Sequence, residues 1–434
     1  MTVYFHPELE TAPREKIRAR QREKLGIMLE RVCATNPFYR KKFAAAGIGA
    51  VHLTSLEDLA VLPYTCKGEF QQDQAENPPY GSNLTEPLKN YVRFHQTTGT
   101  TGKPLKWLDT CEGWDWRGRC AALSLTASGI TAADTIFFPF AFGPHVAFWG
   151  IWEGAFQIGA LAIAGGGWDT AQRIKFIMDN NVTVVACTPT YALRIIEEAE
   201  AAGVDLAKSK VRITFHAGEP GALHPAFRDK IKARWNAAPF DYSGLTEVGA
   251  YGVHCTCQET SIHVNEEEFL LELIDPETGA PLTGGVGEMV LTNLGRVCSP
   301  AIRFRTGDIV NAQEKQCSCG RTFLLLEGGI IGRSDEMITI RGMNVFPSQI
   351  GAVAEKHLGT GEEYRIVAYT RKGMADLKII LELSDGRPAM EVTECIRKDL
   401  RECLEIRVEA EVVPRGTLQR SEYKSKKFLD QREK

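Results

Sequence analysis

From residue 135 onward, short apolar runs alternate with stretches in which apolar side chains recur every three or four positions. The runs predict strands at 135–140, 161–164, 182–187, 211–216 and 239–242, and the periodic stretches predict helices at 146–158, 171–180, 191–202 and 225–235. Strand–helix alternation of this kind builds a mainly parallel sheet. Ligands of such sheets bind beyond the carboxyl ends of the strands. Thr188-Pro189-Thr190, Gly218-Glu219-Pro220 and Gly244-Leu245-Thr246-Glu247 therefore share one rim. Upstream, residues 1–60 read as helical, with amphipathic stretches over 13–33 and 37–46. Downstream of Glu247 the pattern changes to short strands at 269–275, 287–292, 309–311 and 322–326 with turn residues between them, a β-rich subdomain over about 248–330. From about residue 331 an α+β unit is expected: a helix at 347–357, strands at 363–370 and 376–383, a helix at 389–404, a strand at 407–413 and a basic tail. The expected architecture is α/β, with a large N-terminal domain over 1–332 and a small α+β C-terminal domain over 333–434.

Composition narrows the class. The 434 residues are 44% hydrophobic and 24% charged, ordinary for a globular chain, and a net charge of −4 with no long basic block speaks against nucleic acid as a partner. Residues 136–168 are almost uncharged and long enough to cross a bilayer, yet Pro139, Gly143 and Pro144 interrupt them and Glu153 would sit unpaired in lipid. A strand, loop, buried helix and second strand are expected there, and no membrane span. Twelve cysteines without a disulfide-scaffold spacing, behind a charged opening segment, point to a reduced cytoplasmic setting.

Candidate chemistry begins at Thr97-Thr98-Gly99-Thr100-Thr101-Gly102-Lys103-Pro104. Glycines let backbone N–H groups approach a phosphate chain, and the hydroxyls and Lys103 add charge-assisted contacts. The spacing is not that of a Walker loop, since Pro104 stands where a magnesium-binding Ser/Thr would be. Cys255, Cys257, His263, Cys317 and Cys319 form two clusters of soft ligands, enough for a four-coordinate structural zinc. The expected set is Cys257, His263, Cys317 and Cys319, with Cys255 or His254 as substitutes for the first. Phe140, Phe142, His145 and Trp149, with Phe148 and Trp152, are candidates for an acid-binding pocket or equally for core.

The Thr97–Pro104 loop resembles the phosphate-binding loop of adenylate-forming enzymes, the acyl-CoA synthetase superfamily. Tyr242-Ser243-Gly244-Leu245-Thr246-Glu247, Arg303-Phe304-Arg305-Thr306-Gly307-Asp308 and Gly332-Arg333-Ser334-Asp335 are similar to further motifs of that family, in its order. The 341–349 segment (RGMNVFPSQ), His6-Pro7-Glu8-Leu9-Glu10 and Arg420-Ser421-Glu422-Tyr423-Lys424 resemble the phenylacetate–CoA ligase branch. The resemblance implies an AMP-forming acid–CoA ligase that uses ATP, Mg²⁺ and CoA and activates an aryl or arylacetic acid. A small aliphatic or hydroxy acid, or transfer to an amine or a carrier protein, stays open. So does a nucleotide-binding protein without chemistry.

The same resemblance implies site roles. Lys424 would bridge the acid and the α-phosphate, with Lys426 as fallback because Tyr423 stands where the family usually has glycine. Thr246 would hold the α-phosphate, and Glu247, a hard oxygen ligand, would hold Mg²⁺. Asp308 would accept from both ribose hydroxyls, with Arg333 supporting ribose or phosphates. Gly218, Glu219 and Pro220 would line the adenine. Ser243 replaces the usual aromatic, which leaves stacking to Tyr242 or another side chain. Asp335 would be the hinge of a mobile C-terminal domain. A homodimer is an expectation that these residues leave open.

Overall fold

The computed structural model describes the chain except residues 1–2, 50–54, 98–102, 335, 341–342, 360, 372–373, 405–407, 419–426 and 433–434. The first part is helical: α1 (Pro7–Glu10), α2 (Arg14–Thr35), α3 (Pro37–Ala45) and α4 (Lys67–Glu76). The β1 (Tyr91–Gln96) and β2 (Lys106–Thr110) strands then pair antiparallel and lead into α5 (Cys111–Ala127). Alternation follows as expected: β3 (Thr135–Phe138), α6 (Val146–Gln157), β4 (Leu161–Ala164), α7 (Thr170–Asp179), β5 (Val184–Cys187), α8 (Pro189–Ala201), β6 (Ile213–Ala217), α9 (Pro225–Trp235) and β7 (Ala238–Tyr242). These five strands form a parallel sheet in the order β4-β3-β5-β6-β7.

Local chemistry sets these boundaries. Thr188 caps α8 by accepting from the Tyr191 N–H, with Pro189 at the first turn. Pro225 opens α9, and Asn236 closes it in the left-handed region at φ 53°. The 136–168 segment is the strand, loop, helix and strand expected of it, and no described helix is long and apolar enough to cross a membrane.

The hairpin of β8 (Gly244–Leu245) and β9 (Gly249–Ala250) leads into the β-rich part. There β10 (Gly252–Val253), β11 (Ser261–Val264), β12 (Phe269–Ile274), β13 (Pro281–Leu282), β14 (Gly285–Asn293), β15 (Phe304–Gln313) and β16 (Leu325–Arg333) form a seven-stranded antiparallel sheet, β10-β11-β16-β15-β14-β12-β13. Its last two long strands extend well beyond the segments 309–311 and 322–326 read from the sequence.

The C-terminal part contains β17 (Ile338–Ile340), β18 (Met343–Val345), α10 (Pro347–Glu355), β19 (Glu363–Arg371), β20 (Met374–Glu382), α11 (Ala389–Leu404), β21 (Glu409–Val413) and β22 (Phe428–Gln431). Four of these strands make a mixed sheet, β21-β20-β19-β22. The β22 strand, parallel to β19, was not foreseen from the basic tail.

Two cores are distinct. One joins the parallel and antiparallel sheets through side chains such as Phe138, Phe215, Trp116, Phe269 and Met289. The other, drawn only from residues 338–428, packs Ile350, Ile366, Ile379, Leu381 and Ile396. Among the described contacts between them, Ser348 Oγ donates to the Ile331 carbonyl at 2.7 Å and Lys230 Nζ lies 3.4 Å from the Gly359 carbonyl. Gly332 lies against the Phe346 ring so closely that a Cβ there would meet it at 2.4 Å.

Candidate active site

The parallel sheet brings the three rim segments together. Thr190 N–H donates to Glu219 Oε1 at 2.8 Å, tying the turn after β6 to the start of α8. Gly218 takes φ +96°, a left-handed value that suits glycine, and with Pro220 it stays exposed at the rim. Thr97 is buried at the foot of the phosphate-binding segment, where its hydroxyl accepts from Leu105 N–H at 3.0 Å and its own N–H reaches the Leu105 carbonyl. Lys103 is exposed on the other limb. Thr98, Gly99, Thr100, Thr101 and Gly102 lie outside the described residues, as do Lys424, Lys426 and the proposed hinge Asp335.

Thr246 and Glu247 occupy the turn of the β8–β9 hairpin. Glu247 is 5% exposed, and Lys67 at the start of α4 brings its ammonium to 3.5 Å from Oε1. Sequence reasoning missed Lys67. It follows Cys66 in an otherwise unremarkable helix start, and only the fold places it beside the rim.

Behind the turn, the carboxylate of Asp109 on β2 is wholly buried between Arg117 of α5 and Arg296. Burial alone would raise its pKa, but the two guanidinium groups hold it down to about 2. Nearby, His95 is stacked on Trp114 at 5.0 Å, and neither ring nitrogen has a hydrogen-bond partner among the described residues. Burial and the charge of Arg117 push its pKa down to about 3.

Asp308 and Arg333 face each other across β15 and β16, with Arg333 Nη1 donating to Asp308 Oδ1 at 2.9 Å. Gly307, at φ +75°, leaves room for the guanidinium, which a Cβ would meet at 2.7 Å. Tyr242 departs from its expected place. Its ring is buried against Phe215, and its hydroxyl lies under Gly150 of α6, so it offers no open face to an adenine on the rim. Ser243, half-buried, is the residue of that pair nearer solvent.

The aromatic residues of the expected acid pocket are together. Phe140 meets Phe148 at 4.1 Å and Phe142 meets Trp149 at 4.5 Å and Trp152 at 5.3 Å. The Trp149 indole N–H donates to the Gly143 carbonyl at 2.8 Å. His145 is exposed, and its Nδ1 lies 3.2 Å from the Gln96 carbonyl, linking the pocket loop to the strand before the phosphate-binding segment.

The Cys/His expectation needs one correction. The side chains that converge are Cys255, His263, Cys317 and Cys319, all buried, with their ligand atoms within 4.8 Å of one another. Cys257 is exposed and outside the group, because the chain turns between Cys255 and Gln258, whose N–H bonds back to the Cys255 carbonyl. The donor set suits zinc. His263 Nδ1 faces the Phe323 carbonyl at 3.3 Å while Nε2 faces Cys319 Sγ at 3.4 Å, so a neutral ring protonated on Nδ1 would turn its Nε2 lone pair toward a metal. Backbone N–H groups of Cys319 and Arg321 point at the Cys317 and Cys319 sulfurs. Hydrogen bonding from Cys255, then from His263, outweighs burial and lowers the pKa of the Cys319 thiol.

The N-terminal segment closes over this cluster. Tyr4 donates its hydroxyl proton to the Cys319 carbonyl, Glu10 and Arg321 form an ion pair with both side chains fully buried, and Thr322 N–H donates to the Glu10 carbonyl at 3.0 Å.

Comparison with known proteins shows the family to which the chain belongs. Residues 342–432 match the family described as AMP-binding enzyme C-terminal domain. A phenylacetate–coenzyme A ligase of Escherichia coli is 31% identical over 434 residues, covering 98% of this chain and 97% of that enzyme. One of Thermus thermophilus is 32% identical over 386 residues, covering 88% and 85%. Among solved structures, a 2-hydroxyisobutyryl-CoA ligase holding its acyl-adenylate in the postadenylation state superposes with a TM-score of 0.90 at 26% identity, over 98% of this chain and 92% of that one. The same ligase with CoA in the thioesterification state gives 0.74 at 27% identity, over 99% and 93%. The chain belongs to the phenylacetate–CoA ligase family of adenylate-forming enzymes.

Proposed function

We propose that the protein is an AMP-forming acid–CoA ligase that activates an aryl or arylacetic acid. The acid's carboxylate attacks the α-phosphorus of ATP, the bond to the bridging oxygen breaks and pyrophosphate leaves. CoA thiol then attacks the acyl carbon of the adenylate and AMP departs. Thr246 binds the α-phosphate and Lys424 bridges acid and phosphate. Asp308, oriented by Arg333, receives the ribose hydroxyls, and Gly218, Glu219 and Pro220 line the base. Glu247 would hold Mg²⁺, which supplies charge neutralisation on the phosphates.

The observation that carries this reading is the Glu247 carboxylate. It is almost buried at the rim end of the sheet, offers the hard oxygen that Mg²⁺ takes, and has the Lys67 ammonium 3.5 Å from Oε1 as a further positive charge for phosphates. The domain boundary at 332/333 is part of the proposal, supported by the separate core of residues 338–428. A small C-terminal domain that turns about Asp335 would let one site run both half-reactions while excluding water from the adenylate. ATP and CoA as substrates put the enzyme in the cytoplasm in this reading, and assembly as a homodimer is read by light scattering.

The Cys255, His263, Cys317 and Cys319 cluster is proposed to hold a structural zinc, since four protein ligands leave no position for substrate. A second reading of the acid is favoured by the mutual packing of Phe140, Phe142, Phe148, Trp149 and Trp152, which leaves a small aliphatic or hydroxy acid as the better fit if those rings stay together. Pyrophosphate release and CoA thioester formation, measured over aryl, arylacetic and short hydroxy acids, test both. Turnover of arylacetic acids supports the first, and turnover of short acids alone supports the second. Absence of ATP-dependent pyrophosphate release with every acid refutes the ligase assignment.

A further inference from the structure

All three carbonyls of the 246–248 turn are taken by buried side chains from outside the hairpin. Arg117 Nη2 donates to the Thr246 carbonyl at 2.7 Å, Arg296 Nη1 to the Glu247 carbonyl at 3.0 Å, and Asn293 Nδ2 to the Val248 carbonyl at 2.9 Å. Arg296 and Asn293 are fully buried and Arg117 nearly so. Each is fixed in turn. Asp109 accepts from Nε of both arginines, the Arg296 guanidinium lies 5.2 Å over the Trp107 ring, and Asn293 Oδ1 accepts from Ala301 N–H at 3.1 Å.

A hairpin of two residue pairs at a rim does not need this to form. With Val248 fully buried and Glu247 nearly so, the turn carbonyls need partners, yet neutral ones would serve, whereas burying a carboxylate and two guanidinium groups is expensive unless every one of their hydrogen bonds is made. Fixing three consecutive peptide planes fixes the directions of the side chains between them, and those side chains are Thr246 and Glu247.

We propose that Arg117 and Arg296, anchored together by Asp109, and Asn293 are positioning residues that aim the Thr246 hydroxyl and the Glu247 carboxylate at ATP and its metal. The inference rests on the reading of Thr246 and Glu247 given above. The carboxylate holds both guanidinium forks in register, and one uncompensated positive charge remains behind the turn.

The test uses the full-length enzyme with Arg296→Lys, Arg117→Lys and Asn293→Ala, and Glu247→Gln beside them. Lysine keeps the charge but cannot hold Asp109 and a turn carbonyl with one planar group. Pyrophosphate release is measured against Mg²⁺ and MgATP concentration, and thioester formation is measured from synthetic acyl-adenylate and CoA. The expected result is a rise of ~10-fold or more in the Mg²⁺ needed for half-maximal pyrophosphate release and a fall of up to ~10²-fold in its rate, the scale set by about 1 Å of misplacement. Conversion of supplied acyl-adenylate should fall several-fold less than pyrophosphate release, since the adenylate keeps the phosphate that Thr246 binds but has lost the phosphates that share the Glu247 metal. Asn293→Ala removes no charge and carries the test if a lysine variant does not fold. Loss of both half-reactions in step with thermal stability overturns the proposal in favour of a structural role. Unchanged Mg²⁺ dependence in the variants while Glu247→Gln loses it overturns the positioning role alone. A Glu247→Gln enzyme with normal Mg²⁺ dependence overturns the reading of the turn itself.

Discussion

The 246–248 turn and the C-terminal part are held in opposite ways. The turn is bolted from behind by buried charge, with every carbonyl assigned to a side chain. The C-terminal part carries its own core and meets the rest through contacts such as Ser348 with Ile331, Lys230 with Gly359, and Phe346 over Gly332. A buried ionic network moves only by exposing unpaired charge, whereas sparse polar contacts between two cores can be exchanged for water. In the function proposed above, that division would serve two successive chemistries at one site, with phosphate-binding groups fixed and Lys424 delivered by a part that turns.

The sharpest way to break the comparison is Lys424→Ala. If the lysine is delivered by the C-terminal part, pyrophosphate release falls ~10²–10³-fold, the usual cost of losing one preorganised charge. Thioester formation from supplied acyl-adenylate is largely spared, and equal loss of both steps would remove the role from Lys424.

Asp335→Pro tests motion without touching either half. Proline fixes φ near −65° and removes a donor, so single-turnover pyrophosphate release should stay near normal while thioester formation drops by ~10-fold or more, as expected of a hinge position. Thioester formation at the parent rate would place the hinge elsewhere.

A smaller effect is expected at the metal cluster. Purified protein should contain about one zinc per chain. Cys317→Ser, or strong chelation, should lower the melting temperature by several degrees while the surviving enzyme keeps most of its rate. Metal analysis that finds none after chelator-free purification removes the site.

The last effect is on pH dependence. His95 is held neutral with its pKa depressed to about 3 from an ordinary 6.5, so its contribution to folding is present above pH 6.5 and is lost as pH falls toward 3. Asp109, depressed to about 2 from 3.8, adds stability above pH 3.8 that is lost only as pH falls toward 2. His95→Phe keeps a ring on Trp114 and removes two unpaired buried nitrogens. It should be at least as stable at pH 7 and lose less stability by pH 5. A parent-like acid profile in that variant would show that His95 does not titrate in this window.

Much of the fold was legible because its signals are local. Pro225 and the apolar spacing after it mark α9 to the residue at both ends. The β1–β2 ribbon and α5 were not foreseen. Most of the residues of α5 are buried on every side, so the helix shows no polar face from which a period could be read. The site divides in the same way. Contiguous motifs pointed to Thr246, Glu247, Asp308 and Arg333, but Asp109, Arg117 and Arg296 meet only after folding, from segments nearly two hundred residues apart. A signal was present in the charged Asp109 directly after Trp107-Leu108, which a buried strand tolerates only with a counter-ion. Cys255 and Cys257 differ by a turn that spacing alone does not reveal.

The clasp of Tyr4 and Glu10 on Cys319, Arg321 and Thr322 has a consequence for synthesis on the ribosome. Val3, Tyr4, Glu10 and Ala12 each have a partner more than three hundred positions later. At ~5–20 residues per second, tens of seconds pass before those partners emerge. During that interval the carboxylate of Glu10 lacks the Arg321 guanidinium against which it is finally buried. The lid over the cysteine cluster is thus made well before the residues on which it closes.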